Sequence, residues 1–166
     1  MPRLEGHRRG ADTAKKILNK ADELGIEIVT LYAFSTENWQ RPADEVNGLM
    51  QLLEIFLNTQ RDELIKKQTR LKAIGNIEKL PNGTLKALKE TISQTQHFNR
   101  RTLVLALNYS GRDEILRAAN KLKGEKNEIT WELLEKNLDT SSIPDPDMIL
   151  RTSGEMRLSN FMMLQA

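Results

Sequence analysis

Apolar and polar positions along this chain switch between a helical period and a strand period, and the switches predict its elements. After a basic opening, a helical pattern runs to about Leu24, where Gly25 stops it. Ile26 to Phe34 reads as a strand, with Val29, Leu31, Ala33 and Phe34 suited to cover on both faces. From about Ala43 to Lys67, Val46, Leu49, Met50, Leu53, Phe56, Leu57, Leu64 and Ile65 recur at helical spacing. Pro42 fits the start of that helix, and Asp44 and Glu45 complement its dipole in the first turn. The middle, LMQLLEIFL, is apolar over more of its circumference than one sheet contact requires. A second apolar neighbour is implied: another helix, a partner subunit or a hydrocarbon ligand.

Arg70 to Gly75 reads as a second strand, Gly83 to His97 as a helix, and Arg101 to Asn108 as a third strand apolar enough to be central. Ser110-Gly111-Arg112-Asp113 matches a capping box, so a helix is expected from there to about Lys123. Another is expected from Thr130 to near Leu138, and after a loop from Ser141 to Asp147 the residues Met148, Ile149 and Leu150 read as a fourth strand. Strands alternating with helices predict an α/β fold, a mostly parallel sheet flanked by helices, as a single domain over 1–166.

Composition narrows the function classes. The chain is 39% hydrophobic, enough for a real core, and no apolar run approaches the roughly 20 residues of a membrane span. The opening MPRLEGHRRG lacks the apolar core of a secretory signal, so a cytoplasmic location is expected. With no cysteine, disulfides, thiol catalysis and thiolate-bound metal are excluded, and only two histidines argue against zinc. A metal, if used, is expected to be a hard, oxygen-bound ion. The net charge of +2 does not indicate a nucleic acid partner, so the positions of the arginines matter more than their number.

Those positions are at predicted strand ends: Ser35 to Arg41, Asn108 to Arg112, and Arg151 to Ser159. Parallel strands point their carboxyl ends one way, so these loops are expected to share a rim and gather Arg41, Arg112, Arg151 and Arg157 around one anion. Guanidinium forks suit diphosphate oxygens, and solvated surface arginines are the plain alternative. The opening, with Arg3, His7, Arg8 and Arg9 at a helix entrance, suits a phosphate or is a frayed basic terminus. The densest cluster is LYAFSTENWQRP, where a buried strand turns into Ser35, Thr36, Glu37, Asn38, Trp39 and Arg41. An Asn/Ser-rich turn with a packed Trp is its plain alternative. Neither a Gly-x-Gly-x-x-Gly nor a Walker loop is present, which argues against a generic nucleotide-binding domain.

FSTENWQRP (34–42), GHRRG (6–10), NYSGRDEI (108–115) and ILRTSGEMRLSNF (149–161) together resemble the motifs of the cis-prenyltransferases, most closely the bacterial undecaprenyl diphosphate synthases. The resemblance implies a parallel sheet wrapped in helices around a hydrophobic tunnel. It implies repeated cis condensation of isopentenyl diphosphate onto an allylic prenyl diphosphate such as farnesyl diphosphate, giving a long-chain polyprenyl diphosphate. Mg2+ is the implied cofactor, a homodimer the implied full-length state, and no nucleic acid is a partner. Asn38 matches the position assigned to proton removal, supported by Ser35, Thr36 and Glu37. An amide is a poor base, so positioning the substrate or relaying a proton is the expectation and the base stays open. Trp39 and Arg41 match substrate contacts, Arg3 and His7 lie near the allylic diphosphate, and Arg151, Arg157, Leu158 and Ser159 match the isopentenyl diphosphate site.

The departures from the family pattern carry expectations too. The family's first strand and C-terminal elements, with their metal-binding Asp and Glu, have no counterpart in the chain, so it looks cut at both ends and no metal ligand is expected within it. Asp145-Pro146-Asp147 is the nearest carboxylate pair, and its prolines favour a structural loop. Little or no activity is expected from the chain alone. The alternative is a non-catalytic subunit that binds diphosphate and lipid and supports a complete partner. Membrane contact is expected to be peripheral at most, at the inner membrane face.

Overall fold

Strand β3 (Arg101–Tyr109) is the centre of the sheet, and every residue in it from Leu103 onward is buried. β1 (Ile28–Ser35) and β2 (Thr69–Ile74) flank it in the order β1-β3-β2. The ladder between β2 and β3 is parallel, in register from Thr69 opposite Arg101 to Ile74 opposite Ala106. The computed structural model describes residues 3–126, 128–152 and 154–166, with side chains described from residue 5 onward. They form two compact units, the first ending at Asn108 and the second beginning at Tyr109.

In the first unit, α1 (Arg3–Glu23) ends at Gly25, whose φ of +73° is the left-handed geometry glycine tolerates. Ile26 N–H returns to the Ala21 carbonyl at 3.0 Å and Gly25 N–H to that of Asp22 at 3.2 Å, a Schellman closure. That closure occupies Ile26, so β1 starts at Ile28 and not at Ile26 as expected. Helix α2 (Ala43–Lys66) packs against α3 (Asn82–Thr95) on one side and α1 on another. Phe34, Val46, Met50, Leu57, Leu71, Leu88, Leu103, Leu105 and Leu107 form the core between helices and sheet. Each fully buried leucine of this set contributes on the order of 2–5 kcal/mol relative to alanine. Thr95 covers part of the outer edge of β2, where its Oγ1 accepts the Leu71 N–H at 3.0 Å. The extra apolar neighbour implied for α2 is therefore α3, together with a cavity described below.

In the second unit, α4 (Gly111–Lys121) starts as expected at Ser110, whose Oγ accepts the Asp113 N–H at 3.3 Å. Glu114, 1% exposed, gathers four donors: Tyr109 Oη at 2.7 Å, Thr140 N at 3.0 Å, Thr140 Oγ1 at 3.1 Å and Gln165 Nε2 at 3.2 Å. Arg117 bridges Asp113 and both carboxylate oxygens of Asp139. α5 is only Trp131–Glu135, shorter than expected, and is followed by turns. The fourth strand is not formed: Met148, Ile149 and Leu150 lie outside any ladder, and Met148 and Leu150 are 70% and 68% exposed. A strand needs a partner for its backbone groups, and three apolar residues in a row do not supply one.

Candidate active site

At the end of β1 the chain passes through Ser35 into a 3-10 turn, Thr36–Gln40. The turn is closed by the Ser35 N–H donating to Asn38 Oδ1 at 3.0 Å. Because a backbone N–H can only donate, this bond fixes the amide orientation of Asn38. What Asn38 can offer a ligand is its Nδ2 donor, which is the wrong group for accepting a proton. Thr36 Oγ1 lies 3.4 Å from Glu37 Oε2. Beside them, burial and then the negative charge of Glu37 push the Tyr32 phenol up to about 12, with a hydrogen bond to Ser35 partly opposing. Tyr32 therefore stays a neutral phenol near pH 7, able to donate.

The next residue, Trp39, sets its ring edge-on to Phe34, with centroids 4.9 Å apart and planes at 73°. Its indole Nε1 donates to Asn108 Oδ1 at 2.7 Å. Arg41 Nη1 donates to Glu45 Oε1 at 2.8 Å, and His7 Nε2 lies 3.4 Å from the same oxygen. Glu45 is 7% exposed, so this carboxylate holds α1 and the β1–α2 junction together from within. A cavity of about 370 Å³ adjoins this group, lined chiefly by Leu31, Phe34, Leu49, Leu53, Phe56 and Leu105. Its remaining wall is the small-residue face of α1, Gly6, Gly10, Ala11 and Ala14, together with His7. A Cβ at Gly6 or Gly10 would meet nothing within 4 Å, so these positions leave the space open. One imidazole thus belongs both to an apolar cavity and to a charged cluster.

The second unit brings together Arg151, Arg157 and Ser159. Arg151 Nη1 donates to Ser159 Oγ at 2.9 Å and also reaches the Arg157 carbonyl. Arg157 pairs with Glu155 at 2.6 Å, and Leu158 is exposed. Ser159, Asn160 and Met162 have φ of +50°, +60° and +43°, a run of left-handed residues tied down by the Gly111 N–H to the Asn160 carbonyl at 2.7 Å. Arg112 is exposed at the start of α4. Arg41 belongs to the first unit, and Arg112, Arg151 and Arg157 to the second. The side chain of Arg3 and all of Ser153 lie outside the described residues.

Two participants escaped the sequence reading. Glu45 was visible as a first-turn acid four residues after Arg41, close enough in sequence to pair with it, but its contact with His7 is long-range. Asn108 stood at the end of a strand in a quoted motif, yet its partner Trp39 is 69 residues away. Among the described residues no three His, Asp or Glu side chains cluster to hold a metal, and Glu45 is engaged by two partners. The described residues do not by themselves make a magnesium site.

Comparison with known proteins identifies the family and the fold. The family model described as "Putative undecaprenyl diphosphate synthase" matches residues 1–166. The ditrans,polycis-undecaprenyl-diphosphate synthase ((2E,6E)-farnesyl-diphosphate specific) of Micrococcus luteus is 48% identical across 99% of this chain and 69% of its own length. An isoprenyl transferase of Listeria monocytogenes is 45% identical across 99% of this chain and 68% of its own. Among solved structures, lavandulyl diphosphate synthase from Lavandula x intermedia, in complex with dimethylallyl diphosphate, superposes with a TM-score of 0.92 at 33% identity. It covers 98% of this chain and 73% of its own. A "probable undecaprenyl diphosphate synthase" from Campylobacter jejuni gives 0.84 at 36% identity, over 94% of this chain and 74% of that one. Matched by the family model over its whole length and by relatives near 45% identity, the chain belongs to the undecaprenyl diphosphate synthase family of cis-prenyltransferases.

Proposed function

We propose that this chain carries the prenyl-chain and diphosphate sites of an enzyme that condenses isopentenyl diphosphate onto farnesyl diphosphate, cis at each step, towards a long-chain polyprenyl diphosphate. The observation that carries the reading is His7, shared by the apolar cavity and the Glu45–Arg41 cluster. A prenyl diphosphate has this same division, a hydrocarbon joined to an anion, and about 370 Å³ is in the range of small-molecule pockets.

In this proposal the cavity holds the hydrocarbon, while His7 and Arg41 meet the allylic diphosphate. Arg151, Arg157 and Ser159 take the diphosphate of isopentenyl diphosphate through charge-assisted bonds. Asn38 donates from Nδ2, and the Tyr32 phenol donates beside it. Bond formation joins the terminal alkene carbon of isopentenyl diphosphate to the allylic carbon, breaks the allylic C–O bond to release diphosphate, and releases a proton from the CH2 between the alkene and the diphosphate-bearing carbon. Compensating the leaving diphosphate lowers that barrier more than binding alone would. Mg2+ dependence, a homodimeric full-length form, a cytoplasmic location and peripheral membrane contact belong to the same proposal and rest on the family. So does weak or absent turnover by these 166 residues alone.

The test is paired. Titration calorimetry with each diphosphate is expected to show saturable binding, weakened by Arg157→Ala for isopentenyl diphosphate. Transfer of labelled isopentenyl diphosphate onto farnesyl diphosphate with Mg2+ is expected to be slow or nil. Absence of binding to either ligand overturns the site; rapid transfer overturns the expected inactivity.

A further inference from the structure

The carboxamide of Asn108 is committed at both ends, and both assignments are fixed by its partners. Trp39 Nε1–H can only donate, so the group at 2.7 Å is Oδ1; the Asn76 carbonyl can only accept, so the group at 2.9 Å is Nδ2. Asn76 N–H returns to the Asn108 carbonyl at 3.1 Å. Asn108 is 4% exposed and left-handed, at φ +47°, a conformation in which Asn is tolerated and most residues are strained. One side chain thus ties the end of the central strand to the loop after β2 and to the indole of the Thr36–Gln40 turn. The Trp39 ring is 38% exposed, held from one side by Phe34 and at its nitrogen by Asn108. Asn38 precedes it in the same turn.

We propose that Asn108 is a positioning residue for the reaction: through the Trp39 indole it fixes the turn that carries Asn38 and leads into Arg41, and so presents Arg41 to the prenyl diphosphate. The proposal rests on the function proposed above. It makes a separable demand, that the site depends on a side chain that touches no substrate.

Asn108→Gly removes both side-chain bonds while leaving a residue at ease at positive φ, so the backbone path is kept. Asn108→Asp keeps an acceptor for the indole but sets a carboxylate oxygen against the Asn76 carbonyl in place of the donor, at a cost in stability that thermal unfolding reads separately. In a Trp131→Phe background the Trp39 indole N–H gives a single amide-type resonance whose hydrogen exchange reports the bond. Asn108→Gly is expected to abolish that protection and to weaken farnesyl diphosphate binding about five- to tenfold, from loss of a bond of ordinary net strength. Asn108→Asp is expected to keep the protection and most of the affinity. Unchanged affinity in Asn108→Gly, or protection lost with affinity intact, overturns the positioning role; if Asn108→Asp fails to fold, these two readings of Asn108→Gly decide it alone. Arg41→Ala separates the two levels. If the unmodified chain does not bind farnesyl diphosphate, or Arg41→Ala binds it equally well, the proposed function fails; if Arg41→Ala weakens binding and Asn108→Gly does not, only the positioning role fails.

Discussion

Replacing Asn38 by Asp separates two roles that the sequence alone leaves mixed. The Ser35 N–H to Asn38 Oδ1 bond at 3.0 Å needs only an acceptor, which Asp supplies as well as Asn. The 3-10 turn should therefore survive, whereas Asn38→Ala loses the cap and about 1 kcal/mol of stability. The exposed end of the group changes in the opposite sense, since a donor becomes part of an anion. A donor to a charged ligand is worth about 1.5–3 kcal/mol, and two like charges about 4 Å apart at an effective dielectric near 20 repel by about 4 kcal/mol. Asn38→Asp should then weaken isopentenyl diphosphate binding by at least about a hundredfold at unchanged thermal stability, and Asn38→Ala should weaken it less. Calorimetry with isopentenyl diphosphate, alongside thermal unfolding of the three proteins, reads both effects. If Asn38 instead serves as the proton acceptor, Asp is the better base, and labelled isopentenyl transfer would hold or rise in Asn38→Asp. Retained affinity for isopentenyl diphosphate in Asn38→Asp would refute the donor assignment.

Three further outcomes follow from other parts of the structure. Ala14→Phe sets a ring into the cavity, so farnesyl diphosphate affinity should fall about tenfold or more while inorganic diphosphate binding is unchanged, as calorimetry with both ligands would show. Tyr32 ionises near 10 unfolded and at about 12 folded, so its contribution is complete below pH 10 and is lost as pH rises from 10 to 12; Tyr32→Phe should flatten that part of the stability curve measured by urea unfolding. Asp139 and Asp113 hold the Arg117 guanidinium charged, and Arg117→Met should cost about 1–3 kcal/mol in urea unfolding. Lys at that position should recover only part, because it lacks the fork that spans both Asp139 oxygens.

Local signals carried much of the fold. The apolar run Leu103 to Leu107 announced a central strand, and Gly25 announced the end of α1, because burial on both faces and positive φ leave direct marks on residue type. The over-apolar middle of α2 announced more than one neighbour without saying which, and packing resolved it into α3 on one side and a cavity on the other. Met148 to Leu150 misled, since three apolar residues state a preference for extension but not whether an edge exists to pair with.

The sequence by itself determined the order of the three strands and the helices between them, the end of α1, the start of α4 and the residue types that crowd the Ser35 to Arg41 junction. It also determined the family, through four motifs in order. Only the tertiary structure decided that Glu45 joins Arg41 to His7, that Asn108 holds the Trp39 indole, and that Asn38 turns its oxygen inward to Ser35. The reason is physical. Helix and strand propensities act within a few residues, whereas a hydrogen bond across 38 or 69 positions exists only after the chain has closed the loop between them.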